Sequence, residues 1–178
     1  MRVIIHITLF IIGLLIGFFL LGCYNPAVLE KCPVYFQENI GEISYEPLNP
    51  LGLLFRGLVD VQDPNGTIHL YITADNDVLL EEMFHSFEIR AGHNRYDEWE
   101  QFYYAFHSDG STYKDYGGAK LSALIVLCWP FLNGQYHNVS HFEDTAYHFV
   151  RLMNGRPIDN DKTKAVEEFI NGRASNTQ

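Results

Sequence analysis

The side chains best suited to chemistry lie close together in the segment Leu79–Glu88, which reads LLEEMFHSFE. Glu81 and His85 are four residues apart, so on a helix they lie one above the other on the same face. Carboxylate and imidazole groups both bind divalent metals, and such a pair can hold one ion. The same spacing also fits an ordinary exposed pair, worth about 0.2–0.5 kcal/mol to the helix. The residue types alone leave both interpretations open.

The segment resembles the active-site helix of zincin metallopeptidases, whose motif is H-E-x-x-H. On this resemblance, His85 corresponds to the second histidine, and Glu82 corresponds to the glutamate that takes a proton from the metal-bound water. Glu81 stands where the first histidine would be. The resemblance, which extends to uncharacterised exported bacterial proteins, implies a zincin-like fold and a metal-dependent peptidase. Its cofactor would be zinc or another divalent metal, and its substrate a peptide or a protein.

Glu81 departs from the family pattern, because it replaces a neutral imidazole with a second carboxylate. Carboxylates bind zinc, so a metal site is still expected. The added negative charge makes the ion a weaker Lewis acid and shifts the preference of the site toward harder metals. We therefore expect weak, slow or lost activity. The alternative function is a non-catalytic envelope lipoprotein that binds a protein or a glycan.

Gluzincins, one branch of the zincins, take a third ligand from a glutamate on the helix that follows the motif. The next predicted helix of this chain offers Glu98 and Glu100. Glu100 is favoured because it falls on the polar face of that helix, whereas Glu98 falls at the edge of its apolar stripe. Glu98 stays the alternative. The expected metal ligands are therefore Glu81, His85 and Glu100, with Glu82 as the catalytic base.

The surrounding sequence predicts the elements that would position these residues. The apolar run over 53–61 predicts a strand, and the β-branched and aromatic residues over 67–73 predict a second one, joined to the first by a tight turn at Asp63–Gly66. Apolar residues at helical spacing predict helices over 77–90, 96–107, 121–132, 141–153 and 162–170. A short β-hairpin or sheet followed by several helices is typical of an α+β fold.

The N-terminus carries a targeting segment. Residues 3–22 are almost wholly apolar and follow a single charge, Arg2, which is the pattern of a secretory signal. Leu20–Cys23, which reads LLGC, resembles the lipobox of bacterial lipoproteins, in which the cysteine is acylated and becomes the new N-terminus. An uncleaved membrane-spanning helix is the alternative, since about 20 apolar residues span a bilayer. Both interpretations place the remainder outside the cytoplasm, and the resemblance favours an outer-membrane lipoprotein.

These features predict a signal peptide over 1–22, a lipidated cysteine and tether over 23–50, and one domain over 51–178. The chain has 22 acidic and 12 basic residues and a net charge of −10. A phosphate-binding surface needs clustered Lys and Arg, so nucleic acid is excluded as a partner. We expect a monomer whose N-terminal lipid contacts the membrane. Cys32 and Cys128 could pair in an oxidising compartment, or Cys128 could be a buried apolar residue.

The lipobox resemblance predicts that Cys23→Ser leaves the protein without a lipid, because no thiol then remains at that position to be acylated. The measurement is incorporation of a labelled fatty acid in the native host. Cys32→Ser, a matched substitution, should keep the label. Equal labelling of the wild type and Cys23→Ser would contradict the prediction and favour a plain signal or an anchor helix.

Overall fold

The computed structural model of this chain describes residues 25–47, 49–53, 56–60, 62–71, 74–110, 140–158 and 160–173. Several sequence predictions lie outside these ranges: the signal segment, the lipidated Cys23, and the helix over 121–132 with Cys128. Cys32 is a free, buried thiol, and burial raises its pKa to about 11. Within the described ranges, no helix is long and apolar enough to cross a bilayer.

A small mixed sheet forms the β part of the fold. Its strands are β1 (Ile43–Tyr45), β2 (Gly57–Val59) and β3 (Ile68–Leu70), in the order β1-β3-β2. β1 runs parallel to β3, and β2 runs antiparallel to it. The antiparallel pair is the hairpin that the sequence predicts, although both strands are shorter than expected. In its turn the Asp63 carboxylate accepts hydrogen bonds from the backbone N–H groups of Asn65 and Thr67.

Five α-helices occur within the described residues: α1 (Val34–Glu38), α2 (Asn76–Asn94), α3 (Tyr96–Phe106), α4 (His141–Met153) and α5 (Asp161–Ile170). The last four match helices predicted from apolar periodicity, and the coarse α+β class is confirmed. Asp75 caps α2, because its side chain accepts a hydrogen bond from the backbone N–H of Val78. Helix α2 is central: it contacts β2, β3, α3 and α4.

The core consists largely of stacked phenylalanine rings. Phe84 on α2 lies 4.9 Å from Phe149 on α4, measured between ring centroids. Phe102 on α3 stacks on Phe169 on α5 at 4.2 Å. Aromatic pairs at these distances stabilise a core by about 0.5–1.5 kcal/mol beyond the burial of their area. The rings therefore hold α2 against α4 and α3 against α5.

The sequence predicts a tether over 23–50, but much of this stretch is part of the folded domain. Phe36 of α1 is fully buried, and its ring lies 4.8 Å from that of Phe149. Val28, in a 3-10 helix at Pro26–Lys31, is buried as well. Ile43–Tyr45 supplies β1. The domain therefore begins before residue 51, and its N-terminal part covers α2.

Ser86 ties the sheet to α2. Its hydroxyl accepts a hydrogen bond from the N–H of Gly41 at 2.7 Å and donates one to the carbonyl of Gly66 at 2.6 Å. Gly66 has a φ of 60° and contacts Ser86 so closely that a Cβ there would lie 2.8 Å from the hydroxyl oxygen. The bonds anchor the hairpin turn beside the helical turn that carries His85.

Candidate metal centre

Helix α2 presents Glu81, Glu82 and His85 together, as the sequence predicts. The helix buries the apolar side chains of Leu79, Leu80, Met83, Phe84 and Phe87. Glu81, Glu82 and His85 lie between these apolar positions, at the edge of the core, and all three are partly buried. The helical spacing of four places Glu81 and His85 on one face.

A third side chain, Glu143, completes the group. Ligand atoms of Glu81, His85 and Glu143 all lie within 4.8 Å of one another. Glu143 stands in the first turn of α4, where its backbone N–H donates to the hydroxyl of the capping residue Ser140 at 3.3 Å. Among the described residues, this is the only set of three His, Cys, Asp or Glu side chains placed to share a metal ion.

The third carboxylate differs from the expected one, since neither Glu100 nor Glu98 belongs to this group. Glu98 accepts hydrogen bonds from Arg95 at 2.8 Å and from the hydroxyl of Tyr35 at 2.6 Å. Glu98 is therefore held beside Arg95, which directly follows the last residue of α2, Asn94. Glu81 lies about 20 Å earlier along that helix, at 1.5 Å per residue.

The sequence around Glu143 predicts its position within a helix but not its neighbours in the fold. Ser140 and Glu143 form the S-x-x-E pattern of a helix start, which places the glutamate in a first turn. That pattern does not say which other helix the first turn faces. The packing of α4 on α2 supplies the missing information.

The electrostatic environment favours protonation of the carboxyl groups. Burial raises the pKa of Glu81 well above its usual value, and the nearby charges of Glu143 and Glu82 and a hydrogen bond with Glu143 raise it further, while Arg56 lowers it. Burial also raises the pKa of Glu82 to about 7, against a lowering effect of His85 and a raising effect of Glu143. A cation placed among these groups would reverse the effect, because it favours the charged carboxylates.

His85 has an unsatisfied polar atom. Its Nδ1 is buried and has no hydrogen-bond partner among the described residues, while its ring packs edge-on against Phe142 at 6.3 Å. A buried polar atom without a partner costs roughly 1–3 kcal/mol. An imidazole nitrogen in this state is a common metal ligand in proteins.

Glu82 lies against the edge strand β2. A Cβ built on Gly57 would lie 2.6 Å from Cγ of Glu82 and 2.9 Å from its Oε1. No larger residue fits there without moving the glutamate, so the absence of a side chain at Gly57 leaves the room that the carboxylate occupies. Burial raises the pKa of Tyr71, and the nearby carboxylates of Glu46 and, to a smaller extent, Glu82 raise it further.

The raised pKa of Glu82 predicts how the stability of the metal-free protein depends on pH. The folded state keeps this proton up to about pH 7, whereas the unfolded state loses it near its ordinary pKa of 4.5. The free energy of unfolding should therefore fall as pH rises from about 4.5 to about 7, by up to roughly 3 kcal/mol from this group.

The measurement is urea unfolding with a chelator present, at pH 5 and pH 8. Glu82→Gln should show a smaller difference than the wild type, because an amide does not titrate, while Glu81, whose pKa is raised as well, still contributes. Glu167→Gln, on the exposed side of α5, should keep it. An unfolding free energy of the wild type that rises between pH 5 and pH 8 relative to Glu82→Gln would contradict the prediction.

The helix with Glu81, Glu82 and His85 keeps the spacing on which the zincin resemblance rests, while the third carboxylate comes from α4. A comparison with known protein families, with curated proteins and with solved structures finds no match for this chain.

Proposed function

We propose that this domain binds one divalent metal ion through Glu81, His85 and Glu143 and hydrolyses peptide bonds with Glu82 as the general base. The observation that carries the proposal is the convergence of the three ligand atoms within 4.8 Å beside a fourth carboxyl group. Three protein ligands and one open position are what a catalytic zinc site requires. The fold would then be zincin-like, with its third ligand on a later helix.

The residues present fit a metal ion. Ligand atoms at 2.0–2.2 Å from one ion lie roughly 3.4 Å apart in tetrahedral geometry, so small rotations of the side chains suffice. Without an ion, Glu81 and Glu143 share a hydrogen bond that requires a proton on one of them. The buried Nδ1 of His85 lacks a partner among the described residues. One cation would satisfy all three groups.

The ligand set bears on which metal binds. Two carboxylates and one imidazole make a harder set of donors than two imidazoles and one carboxylate. Zn²⁺ accepts both kinds of ligand, and Mn²⁺ accepts carboxylates readily. We propose that the site takes either ion and that Mn²⁺ competes better here than at a site with two histidines.

A bound metal would polarise the scissile carbonyl and lower the pKa of a water molecule. Glu82 would accept a proton from that water and pass it to the leaving amine, as a carboxylate beside the ion can do in both directions. Glu81 and Glu143 would orient the ion, and His85 would donate its ring nitrogen. Their combined negative charge would weaken the polarisation, so turnover should be slow.

The proposed location follows from the N-terminal sequence. The apolar run and the LLGC segment at Cys23 support export and attachment to the outer membrane through a lipid. The substrates would then be peptides or proteins outside the cytoplasm. The fatty-acid labelling of Cys23→Ser described above tests this part of the proposal independently of the metal centre.

Metal binding should depend on Glu143 and not on Glu100. We expect the full chain to bind one Zn²⁺ or Mn²⁺. Glu143→Gln should weaken binding more than about 100-fold, because even residues that only orient a ligand change metal affinity 10–100-fold. Glu100→Gln, the same substitution at the position the sequence favours, should leave the dissociation constant unchanged.

Elemental analysis and titration against a competing chelator measure these constants. His85→Ala should abolish binding, while His93→Ala, at an exposed position of the same helix, should not. Equal binding by the wild type, His85→Ala and Glu143→Gln would refute the metal centre. The alternative of a non-catalytic binding domain would then be the better account.

Hydrolysis should depend on Glu82 without a matching loss of metal. Glu82→Gln should bind the ion with an affinity close to that of the wild type, because Glu82 is not one of the three grouped ligands. Its hydrolytic rate should fall about 10²–10⁴-fold, since an amide cannot accept the proton of the water. Mass spectrometry of a broad peptide mixture measures the rate. A metal-loaded wild type that leaves the mixture intact would support a binding function instead.

A further inference from the structure

We propose that Glu88 is a positioning residue: it holds Glu143 in place by bonding the opposite side of α4, and thereby sets the affinity of the metal centre. The inference rests on the proposed function, because it concerns the same ion. Glu88 itself is not one of the grouped ligands and lies nearly one helical turn beyond His85. The sequence places it on the same face of α2 as Glu81 and His85.

Glu88 is fully buried, and its carboxylate accepts from three side chains. His141 Nε2 lies 2.5 Å from Oε1, and Trp99 Nε1 lies 3.3 Å from Oε1. Thr145 Oγ1 lies 2.9 Å from Oε2 and shares its proton with the carbonyl oxygen of Phe142, also at 2.9 Å. A buried carboxylate is expensive unless its oxygens are satisfied in this way. Two of the three donors, His141 and Thr145, belong to α4.

His141 and Thr145 lie on either side of Glu143 in the sequence. Their side chains, however, leave α4 on the side opposite to that of Glu143. Residues two apart on a helix are rotated by about 200°, and residues four apart by about 40°. His141 and Thr145 therefore share one side of α4, while Glu143 points from the other side. Between the two sides, Phe142 and Phe149 contact α2.

This arrangement makes Glu88 control the rotation of α4 about its own axis. Side-chain atoms lie about 5–6 Å from a helix axis, so a roll of 10° moves the Glu143 carboxylate by roughly 1 Å. Metal–ligand distances must be kept within about 0.2 Å. The phenylalanine contacts can slide over such a roll, whereas two directed hydrogen bonds to one carboxylate resist it.

The alternative is that Glu88 merely stabilises the packing of α2 and α4. A purely structural role would lower stability and would weaken the metal site equally whether or not Glu143 is present. A positioning role acts through Glu143, so its effect on metal affinity should vanish once that ligand is removed. A double-mutant cycle separates the two roles.

The test measures the Zn²⁺ dissociation constant of the full chain for the wild type, Glu88→Gln, Glu143→Gln and the double variant. Glu88→Gln should weaken binding 10–100-fold, as expected for a residue that orients a ligand. In the Glu143→Gln background, the same change should alter the constant less than about threefold. Circular dichroism checks that each variant keeps its helices.

A second pair of variants covers the case in which Glu88→Gln does not fold. Thr145→Val removes one donor to Glu88 with little change of shape and should weaken Zn²⁺ binding several-fold. Thr163→Val is a matched control, because Thr163 is also buried but bonds His148 at 2.9 Å, outside the grouped ligands. It should leave the constant unchanged.

The outcomes are distinct. No binding by the wild type overturns the proposed metal centre and this inference with it. Wild-type binding with unchanged constants for Glu88→Gln, or for Thr145→Val if the first variant is unfolded, overturns the positioning role alone. So does a loss of equal size with and without Glu143, or an equal loss in Thr145→Val and Thr163→Val.

Discussion

Helix α4 packs against α2 through phenylalanine rings, and this contact decides which carboxylate reaches His85. Phe84, Phe149 and Phe36 are all fully buried, and the ring of Phe149 contacts the other two within 5 Å. Burial of one such side chain contributes about 1.5–3 kcal/mol. The first turn of α4 is carried to Glu81 and His85 by this apolar contact, although the carboxylates that meet there repel one another.

The repulsion is of comparable size to the contribution of a single ring. Two like charges at the outer limit of 4.8 Å within this group would repel by roughly 3 kcal/mol at an effective dielectric of about 20. Protons on the carboxyl groups relieve the repulsion, which adds to burial, the larger cause, in raising the pKa values of Glu81 and Glu82. Because this repulsion destabilises the empty site, the binding of a cation there would be correspondingly more favourable. Local conflicts of this kind are expected where function overrides stability.

The sequence predicts those elements of the fold that have a periodic or local sequence pattern. Apolar residues at helical spacing locate α2 and the later helices to within a few residues, and Asp63–Gly66 locates the hairpin turn. The stretch around Phe36 escapes prediction because α1 has only five residues, too few to show a helical period. Its membership of the core follows only from contacts with distant helices.

The candidate metal centre likewise combines residues that the sequence places together with one that it does not. Glu81, Glu82 and His85 are local to one helix, so their spacing alone brings them together. Glu143 lies far along the chain, and the choice between it and Glu100 depends on how the helices pack. The resemblance to gluzincins points to the next helix, but Glu98 of that helix bonds Arg95 and neither Glu98 nor Glu100 joins the group around His85. No pattern within a single segment contains that information.

Gly57 has a consequence for how such a centre can be gained or lost in evolution. It belongs to a short strand well before the motif helix, and any side chain there would occupy the space of the Glu82 carboxylate. A single substitution at this glycine could displace Glu82, the proposed base, while every residue of the motif stayed intact. If the proposed function holds, a relative of this chain could keep the motif and lose hydrolysis, so the motif helix alone would not identify the active forms. Gly57 should be read together with the motif when sequences are sorted into active and inactive forms.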